Sequence, residues 1–153
     1  MANDNTQKSQ PIDLNGIQRC TLDAKKRLKV PAPFINAFPA ETFKTVVISK
    51  AKDRCLNLYT KEEYEDIKID LANRPASAER REIMRFYSIM SKYLAVDGHG
   101  RVLIPPDFVA MIGNARELVI LGIDKHMEIW NAEDFEEMLK RAEETFRRSD
   151  FER

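Results

Sequence analysis

Residues 21–38, TLDAKKRLKVPAPFINAF, carry the most informative pattern in the chain, because the same pattern occurs a second time. Residues 95–112, AVDGHGRVLIPPDFVAMI, align with them without gaps at an offset of 74 positions. Four positions are identical, and they form the pairs Asp23/Asp97, Arg27/Arg101, Pro31/Pro105 and Phe34/Phe108. Self-similarity of this kind indicates a duplicated supersecondary unit.

The similarity continues beyond the first motif after a three-residue difference in length. Residues 46–48 (VVI) correspond to 119–121 (VIL), and residues 58–64 correspond to 129–135. These segments predict strands near 45–49 and 56–59, and again near 117–122 and 127–130. Helices should follow, because Thr60 with Glu63, and Asn131 with Asp134, have the spacing of helix-capping residues.

Each copy opens with a pattern that predicts a β-hairpin. Apolar residues alternate with polar ones on both sides of four turn-forming residues, with Cys20, Leu22, Leu28 and Val30 on the inward face of the first copy. The second turn, residues 97–100 (DGHG), combines an aspartate with two glycines. A proline ends each hairpin, and a short helix carrying a phenylalanine should follow.

Composition supports a single apolar core in a chain of 153 residues, of which 43% are hydrophobic. We expect a mostly β protein with flanking α-helices (α+β). The predicted organisation is a disordered tail (1–13), a first repeat (14–75), a connecting helix (76–91), and a second repeat (92–145) whose final helix runs to about residue 150.

Several classes of protein are disfavoured. The longest apolar stretch, residues 118–123, is far shorter than the roughly 20 residues that span a bilayer, and the first ten residues lack the features of a secretion signal. Cys20 and Cys55 form no C-x-x-C motif, which fits a reducing compartment. We therefore expect a cytoplasmic protein without a membrane partner.

The sequence provides no positive sign of catalysis. Asp23 and Asp97 could form a symmetric acid pair, but neither is followed by the hydroxyl residue and glycine that such a site needs. The structural alternative is that each aspartate accepts turn amides and holds the arginine four residues later. His99 and His126 lack partners at metal-ligand spacing. We expect no enzyme activity, cofactor, metal or small-molecule ligand.

The strongest local signal is positive charge on the first hairpin. Although 25 basic residues balance 25 acidic ones overall, residues 19–29 hold five basic residues and one acidic residue. The basic residues are Arg19, Lys25, Lys26, Arg27 and Lys29. The second hairpin is less basic and exposes Ala95 and Leu103 on the equivalent face. A two-stranded ribbon fits the DNA major groove, whereas the ordinary interpretation of a charge run is a solvated face.

The motifs LDAKKRLKVP (22–31) and VDGHGRVLIP (96–105), with Glu128-Ile129-Trp130 after the second, resemble the MraZ family of bacterial transcriptional regulators. The resemblance covers about residues 14–135. It implies an AbrB-like fold, in which two tandem swapped-hairpin units form a double-split β-barrel flanked by helices. It also implies a ring-shaped homo-oligomer in the cytoplasm, associated with the nucleoid.

The resemblance further implies a sequence-specific regulator, usually a repressor. It would bind double-stranded DNA at short G-rich direct repeats in the promoter of the division and cell-wall gene cluster. Its contact residues transfer to both motifs, as Asp23, Lys25, Lys26, Arg27, Asp97 and Arg101. Lys26 departs from the family, which commonly has glycine there. Because a positive φ would cost a lysine roughly 1 kcal/mol, we expect a first turn of different shape and an added phosphate contact.

Two alternatives stay open at this stage. An AbrB-like fold can serve as a protein-interaction module of antitoxin type, and Ala95 and Leu103 would then belong to a subunit contact. A hydrolase that uses Asp23 and Asp97 is the third and weakest hypothesis.

Overall fold

The computed structural model describes residues 12–152 of the chain. Each half contains the same succession of two strands, a short helix, two strands and a longer helix, with an additional helix between the halves. The first half comprises β1 (Leu14–Thr21), β2 (Arg27–Lys29), α1 (Ala32–Ile35), β3 (Thr45–Lys50), β4 (Cys55–Thr60) and α2 (Lys61–Ala72). After α3 (Ala78–Ile89), the second half comprises β5 (Ser91–Ala95), β6 (Arg101–Leu103), α4 (Pro106–Met111), β7 (Glu117–Asp124), β8 (His126–Asn131) and α5 (Ala132–Arg148).

These elements confirm the α+β class and the duplication. The predicted pairs of strands in the middle of each repeat are β3 with β4 and β7 with β8. The predicted connecting helix corresponds to α3. The predicted tail, residues 1–13, lies almost entirely outside the described residues.

Six strands form one antiparallel sheet in the order β1-β7-β8-β4-β3-β5. The order is symmetric about the pair β8 and β4, because each repeat supplies two adjacent inner strands and the edge strand that lies beside the other repeat's pair. Strand β1 of the first repeat pairs with β7 of the second, and β5 of the second repeat pairs with β3 of the first. The two repeats therefore interleave and share one sheet.

The remaining two strands, β2 and β6, form a separate antiparallel sheet with each other. The predicted hairpins are consequently correct only at their tips. In the second copy, a single bridge joins Val96 to Val102 beside the turn, and the two arms then enter different sheets. Alternation along a strand shows which side faces the core, but it does not identify the neighbouring strand. Pairing β2 with β6 buries both Leu28 and Val102 completely.

The main core lies between the inner face of the large sheet and the β2/β6 ribbon, with the short helices α1 and α4 beside it. Phe34 and Phe108, the matching phenylalanines of the repeat, are both buried in this core. The outer face of the large sheet is covered in two separate places. Val47, Tyr59 and Tyr64 form one cluster under α2 and α3, whereas α5 covers a second cluster through Phe135.

The helix caps follow from the sequence. Thr60 Oγ1 accepts a hydrogen bond from the main-chain N–H of Glu63 at 3.1 Å, as predicted. Asn131 also caps its helix, but its Oδ1 accepts from Glu133 N–H, one residue earlier than expected. Among the helices between residues 12 and 152, none combines the length and apolarity needed to cross a bilayer.

Candidate nucleic-acid interface

The first turn is organised by the carboxylate of Asp23. Its Oδ1 accepts hydrogen bonds from the main-chain N–H groups of Lys25 and Arg27, at 2.9 and 2.8 Å. Its Oδ2 accepts a bond from Arg27 Nε at 2.7 Å. A short aspartate side chain can make these local bonds because the turn folds the backbone back over it. The structural role predicted for this aspartate is confirmed.

The second turn repeats this geometry. Asp97 Oδ1 accepts from the main-chain N–H groups of His99 and Arg101, at 2.8 and 3.0 Å, and its Oδ2 accepts from Arg101 Nε at 3.0 Å. The main-chain bonds that close the turns also match: Asp23 N–H donates to Arg27 O at 3.1 Å, and Asp97 N–H donates to Arg101 O at 2.9 Å. Two different sequences thus adopt one turn.

Lys26 and Gly100 hold the equivalent position before the arginine, and both have a left-handed backbone. The φ angle is 65° at Lys26 and 76° at Gly100. The expectation that the first turn has a different shape is therefore wrong. The aspartate bonds stabilise the turn in both repeats, so the lysine adopts a conformation that glycine takes without steric cost.

The two turns meet through the β2/β6 ribbon, which the sequence did not predict. Arg27 lies opposite Leu103 and Lys29 lies opposite Arg101 in its antiparallel register. Because opposite residues and alternate residues share a face, these four side chains lie on the outer surface. Arg27 and Arg101 have side chains that are 30% and 32% exposed. The single basic surface contains Lys25, Lys26, Arg27, Lys29 and Arg101, and we call it the ribbon surface.

The ribbon surface is strongly positive in its local balance. Its five cations are accompanied by the carboxylates of Asp23 and Asp97, and each of these is already bonded within its own turn. Lys29 and Arg101 lie directly opposite each other, which is an unfavourable placement for like charges in the absence of an anion. Lys25, Lys26 and Lys29 are exposed to solvent. The arrangement is suited to binding a polyanion.

The two arginines keep part of their hydrogen-bonding capacity. Among residues 12–152, each guanidinium donates to its aspartate through Nε, and its two terminal nitrogens have no protein acceptor within hydrogen-bond distance. A guanidinium held by Nε is oriented, and its terminal nitrogens can bond the O6 and N7 atoms of guanine. The aspartates therefore orient the guanidinium groups of both arginines.

The electrostatics of the two aspartates differ from those of a proton-sharing acid pair. Hydrogen bonds from the main chain of Arg101 and His99, with the guanidinium of Arg101, lower the pKa of Asp97 to about 2. The main-chain N–H of Arg27 is the principal cause that lowers the pKa of Asp23. A pair that shares a proton would have one raised pKa. Both carboxylates are thus ionised structural groups at neutral pH.

Arg19 is the predicted contact residue that the structure places elsewhere. It lies on β1 in the large sheet, and its guanidinium pairs with Glu136 of α5 at 2.9 Å. It also lies 5.8 Å from the centre of the Phe135 ring. Ala95 is likewise in the large sheet, opposite Thr45, and is separated from Leu103. Strand alternation had assigned these residues to common faces because it assumed that each hairpin stays in one sheet.

The structure brings together no metal-ligand set in the part of the chain that it describes, since no three histidine, cysteine or acidic residues converge there. His126 stacks against Tyr59 with ring centres 5.2 Å apart, and burial lowers its pKa. Cys20 and Cys55 are free thiols whose pKa values burial raises to about 11 and about 12. The surroundings of His126, Cys20 and Cys55 are those of packed side chains that are partly or fully buried.

Comparison with known proteins agrees with this geometry. A family model described as "MraZ protein, putative antitoxin-like" matches residues 14–86 and 91–153, which are the two repeats. The chain belongs to the MraZ family. The resemblance inferred from the two aspartate–arginine motifs is thereby confirmed, and the ribbon surface is formed jointly by the two MraZ repeats.

Individual MraZ proteins are similar along most of their length. The chain is 32% identical over 117 residues to the transcriptional regulator MraZ of Bordetella pertussis, covering 76% of this chain and 81% of that protein. It is 30% identical over 121 residues to the protein of that name from Acidovorax sp. strain JS42, covering 79% and 84%. The MraZ regulator of Paenarthrobacter aurescens is 31% identical over 130 residues, covering 84% and 88%.

Proposed function

We propose that this MraZ protein is a transcriptional regulator that binds promoter DNA through the ribbon surface. The observation that carries the proposal is a two-stranded ribbon that holds two aspartate-bound arginines and the exposed Lys29, with two more exposed lysines, Lys25 and Lys26, in the turn that precedes it. A ribbon of this kind fits the major groove, where arginine bonds guanine and lysine neutralises phosphate. The regulatory names of the relatives in Bordetella and Acidovorax support the assignment.

Arg27 and Arg101 are the residues that we propose read bases, with Asp23 and Asp97 positioning them. Lys25, Lys26 and Lys29 would contact phosphates. A flexible ammonium group acts as a point charge and pairs well with phosphate, whereas the planar edge of a base is better matched by a guanidinium. Arg19 is not part of this surface, since it lies on β1 of the large sheet and its guanidinium binds Glu136 of α5.

The proposal includes self-assembly into a ring and recognition of short G-rich direct repeats. One ribbon surface offers few base contacts, so a single subunit would bind weakly. Several ribbon surfaces on one assembly would bind a repeated site at a high effective concentration. Repression of the division and cell-wall gene cluster, in the cytoplasm at the nucleoid, is the biological role that we propose for this activity.

The deciding experiment measures binding of the wild-type protein and of Arg27→Ala to promoter DNA with the repeats intact or scrambled. We expect wild-type binding that requires the repeats and weakens as salt rises, and loss of the repeat preference in the variant. Arg85→Ala is the matched control, because Arg85 is an exposed arginine on α3 that pairs with Glu82. Unchanged repeat-specific binding by a folded, assembled Arg27→Ala protein would refute the proposal.

A protein-interaction module of antitoxin type is the second candidate function. The observation in its favour is Leu103, which is 59% exposed and lies opposite Arg27 on the ribbon. An apolar side chain at this place is suited to a protein partner, although it also tolerates the methyl group of thymine. Leu103→Asp should lower DNA affinity if DNA is the ligand, because the added carboxylate would face the phosphates, and should abolish complex formation with the partner if a protein is.

A further inference from the structure

The last helix carries an apolar stripe that its own chain covers only in part. Phe135, Met138, Leu139, Ala142 and Phe146 lie on one side of α5, at the spacing of a helical face. Phe135 is buried against the large sheet, but every residue from Leu139 to Arg148 is exposed. Leu139 and Phe146 are 46% and 57% exposed. The stripe therefore continues past the surface on which the helix begins.

A second apolar surface on the same molecule is also uncovered. The helices α2 and α3 and the outer face of the large sheet enclose a groove of about 780 Å³. Ile67, Leu71, Ile83, Phe86 and Tyr87 form its apolar wall. No residue of α3 is buried, and Ile83 and Phe86 are 37% and 43% exposed. A helix without a single buried residue has little packing to hold it in place.

The two surfaces have complementary charge. Acidic side chains outnumber basic ones five to three along the groove, whereas basic side chains outnumber acidic ones four to two in residues 139–148 of α5. At the floor of the groove, Asn57 Oδ1 is buried and accepts no hydrogen bond from the described residues. A cationic side chain at the end of a docked helix would supply a donor to this acceptor.

The dimensions also agree. At about 1.5 Å per residue, the ten exposed residues of α5 are about 15 Å long and the twelve residues of α3 are about 18 Å long. We propose that residues 139–148 of α5 in one copy dock in the α2/α3 groove of the next copy. This inference rests on the self-assembly included in the proposed function, and it identifies the two surfaces that join the subunits.

Contact between two different surfaces has a consequence for the form of the assembly. A helix-to-groove contact leaves a free groove on one end and a free helix on the other, so that it closes only as a ring or continues as a filament. A contact of α5 with α5 would instead stop at a dimer. Pairing between the edge strands β1 and β5 would not involve the stripe at all.

The test uses the full chain with one surface damaged at a time. Phe146→Asp damages the helix and Phe86→Asp damages the groove, and both residues are exposed within one chain. We expect each variant to fall from the oligomeric mass of the wild type to that of a monomer, measured by light scattering and native mass spectrometry. Ile69→Asp is the matched control, since Ile69 is 58% exposed on α2 and does not line the groove.

Mixing the two damaged variants gives the decisive result. Each supplies the surface that the other lacks, so an equimolar mixture should form a heterodimer and nothing larger. The inference would be overturned if either variant alone assembled to the oligomeric mass of the wild type. It would also be overturned if the mixture stayed monomeric. Circular dichroism confirms folding, and if Phe86→Asp unfolds, Ile83→Asp replaces it.

Failure of this inference can be separated from failure of the proposed function. Both variants keep the ribbon surface intact, so their binding to a DNA containing one repeat should equal that of the wild type. Variants that still assemble refute the docking contact and leave DNA binding standing. A wild-type protein that is monomeric refutes both the contact and the ring, whereas the Arg27→Ala measurement alone decides DNA binding.

Discussion

The two turns of the ribbon surface have the same backbone and different side chains. Asp23 and Asp97 each bind two main-chain N–H groups and one guanidinium in their own turn. Where the first turn and strand have Lys25, Lys26 and Lys29, the second has His99, Gly100 and Leu103. The aspartate–arginine pair therefore determines the shape of the turn, and the residues around it determine its charge.

The difference also shows how a duplicated unit can become specialised. The first repeat has the more basic turn, and its Lys26 adopts a left-handed backbone that is unfavourable for lysine. The second repeat has Gly100 at this position, which adopts the same backbone without steric cost, and its turn carries less charge. Because β2 and β6 pair directly, the two turns act as opposite ends of one ribbon. We infer that the first end supplies most of the phosphate contacts and that both ends supply an arginine.

Removing the additional lysines of the first turn and strand should produce the largest change. Replacing Lys25, Lys26 and Lys29 with the residues of the second turn (His, Gly and Leu) should lower DNA affinity at least about a hundredfold. It should also reduce the slope of log K against log salt by about 0.9 for each lost phosphate contact, or nearly three per bound ribbon. A salt titration of binding measures both effects. An unchanged slope would show that these lysines do not contact DNA.

Removing one arginine at a time tests whether both ends read bases. Arg27→Ala should abolish preference for the repeats, and Arg101→Ala should cost about 1–3 kcal/mol of discrimination per site. The loss should be smaller at Arg101 because its Nε bond to Asp97 is 3.0 Å long, against 2.7 Å for the bond from Arg27 to Asp23, and holds the guanidinium less firmly. Competition between repeat and scrambled DNA measures the preference. Equal losses for the two variants would show that the two arginines contribute equally to base discrimination.

Changes at the left-handed position should affect folding more than binding. Lys26→Gly should stabilise the protein by about 1 kcal/mol, because glycine adopts this φ without steric cost. Gly100→Ala should destabilise it by a similar amount or more, since the added Cβ would also lie 3.2 Å from Ile35 Cδ1. Urea unfolding measures both changes. The two substitutions should change the free energy of unfolding in opposite directions, because both positions have the same left-handed backbone.

Titration of Asp97 should give the smallest and most local effect. Its pKa is about 2 in the folded protein against an ordinary value of 3.8. A lowered pKa means that its contribution to stability is complete above the ordinary value and is lost as the pH falls toward about 2.

Mutation can separate the main-chain and side-chain contributions to the lowered pKa of Asp97. Arg101→Ala removes the guanidinium but keeps the main-chain donors, which are the first cause of the shift. The pKa of Asp97 in this variant should therefore rise only part of the way toward 3.8, as measured by carboxylate NMR. A full return to that value would assign the shift to the side chain.

Much of the local structure could be predicted because its causes are close together in the chain. The repeat, the turn residues, the cap at Thr60 and the buried alternation at Leu28 and Val30 depend on neighbours a few residues away. The positive φ at Lys26 does not follow from the residue type, since lysine carries no conformational signal of the kind that Gly100 does. Its cause is the set of bonds to Asp23, which form only when the turn is closed.

The covalent chain specified two copies of one unit, the inward face of each strand and the aspartate–arginine pair that shapes each turn. Strand partners were decided by tertiary structure, because every strand offers the same main-chain donors and acceptors and only the shared core selects among them. The pairing of the strands places Arg19 apart from the other basic residues and places Lys29 opposite Arg101. The ribbon surface exists because burial of Leu28 and Val102 is best satisfied when the two repeats pair with each other.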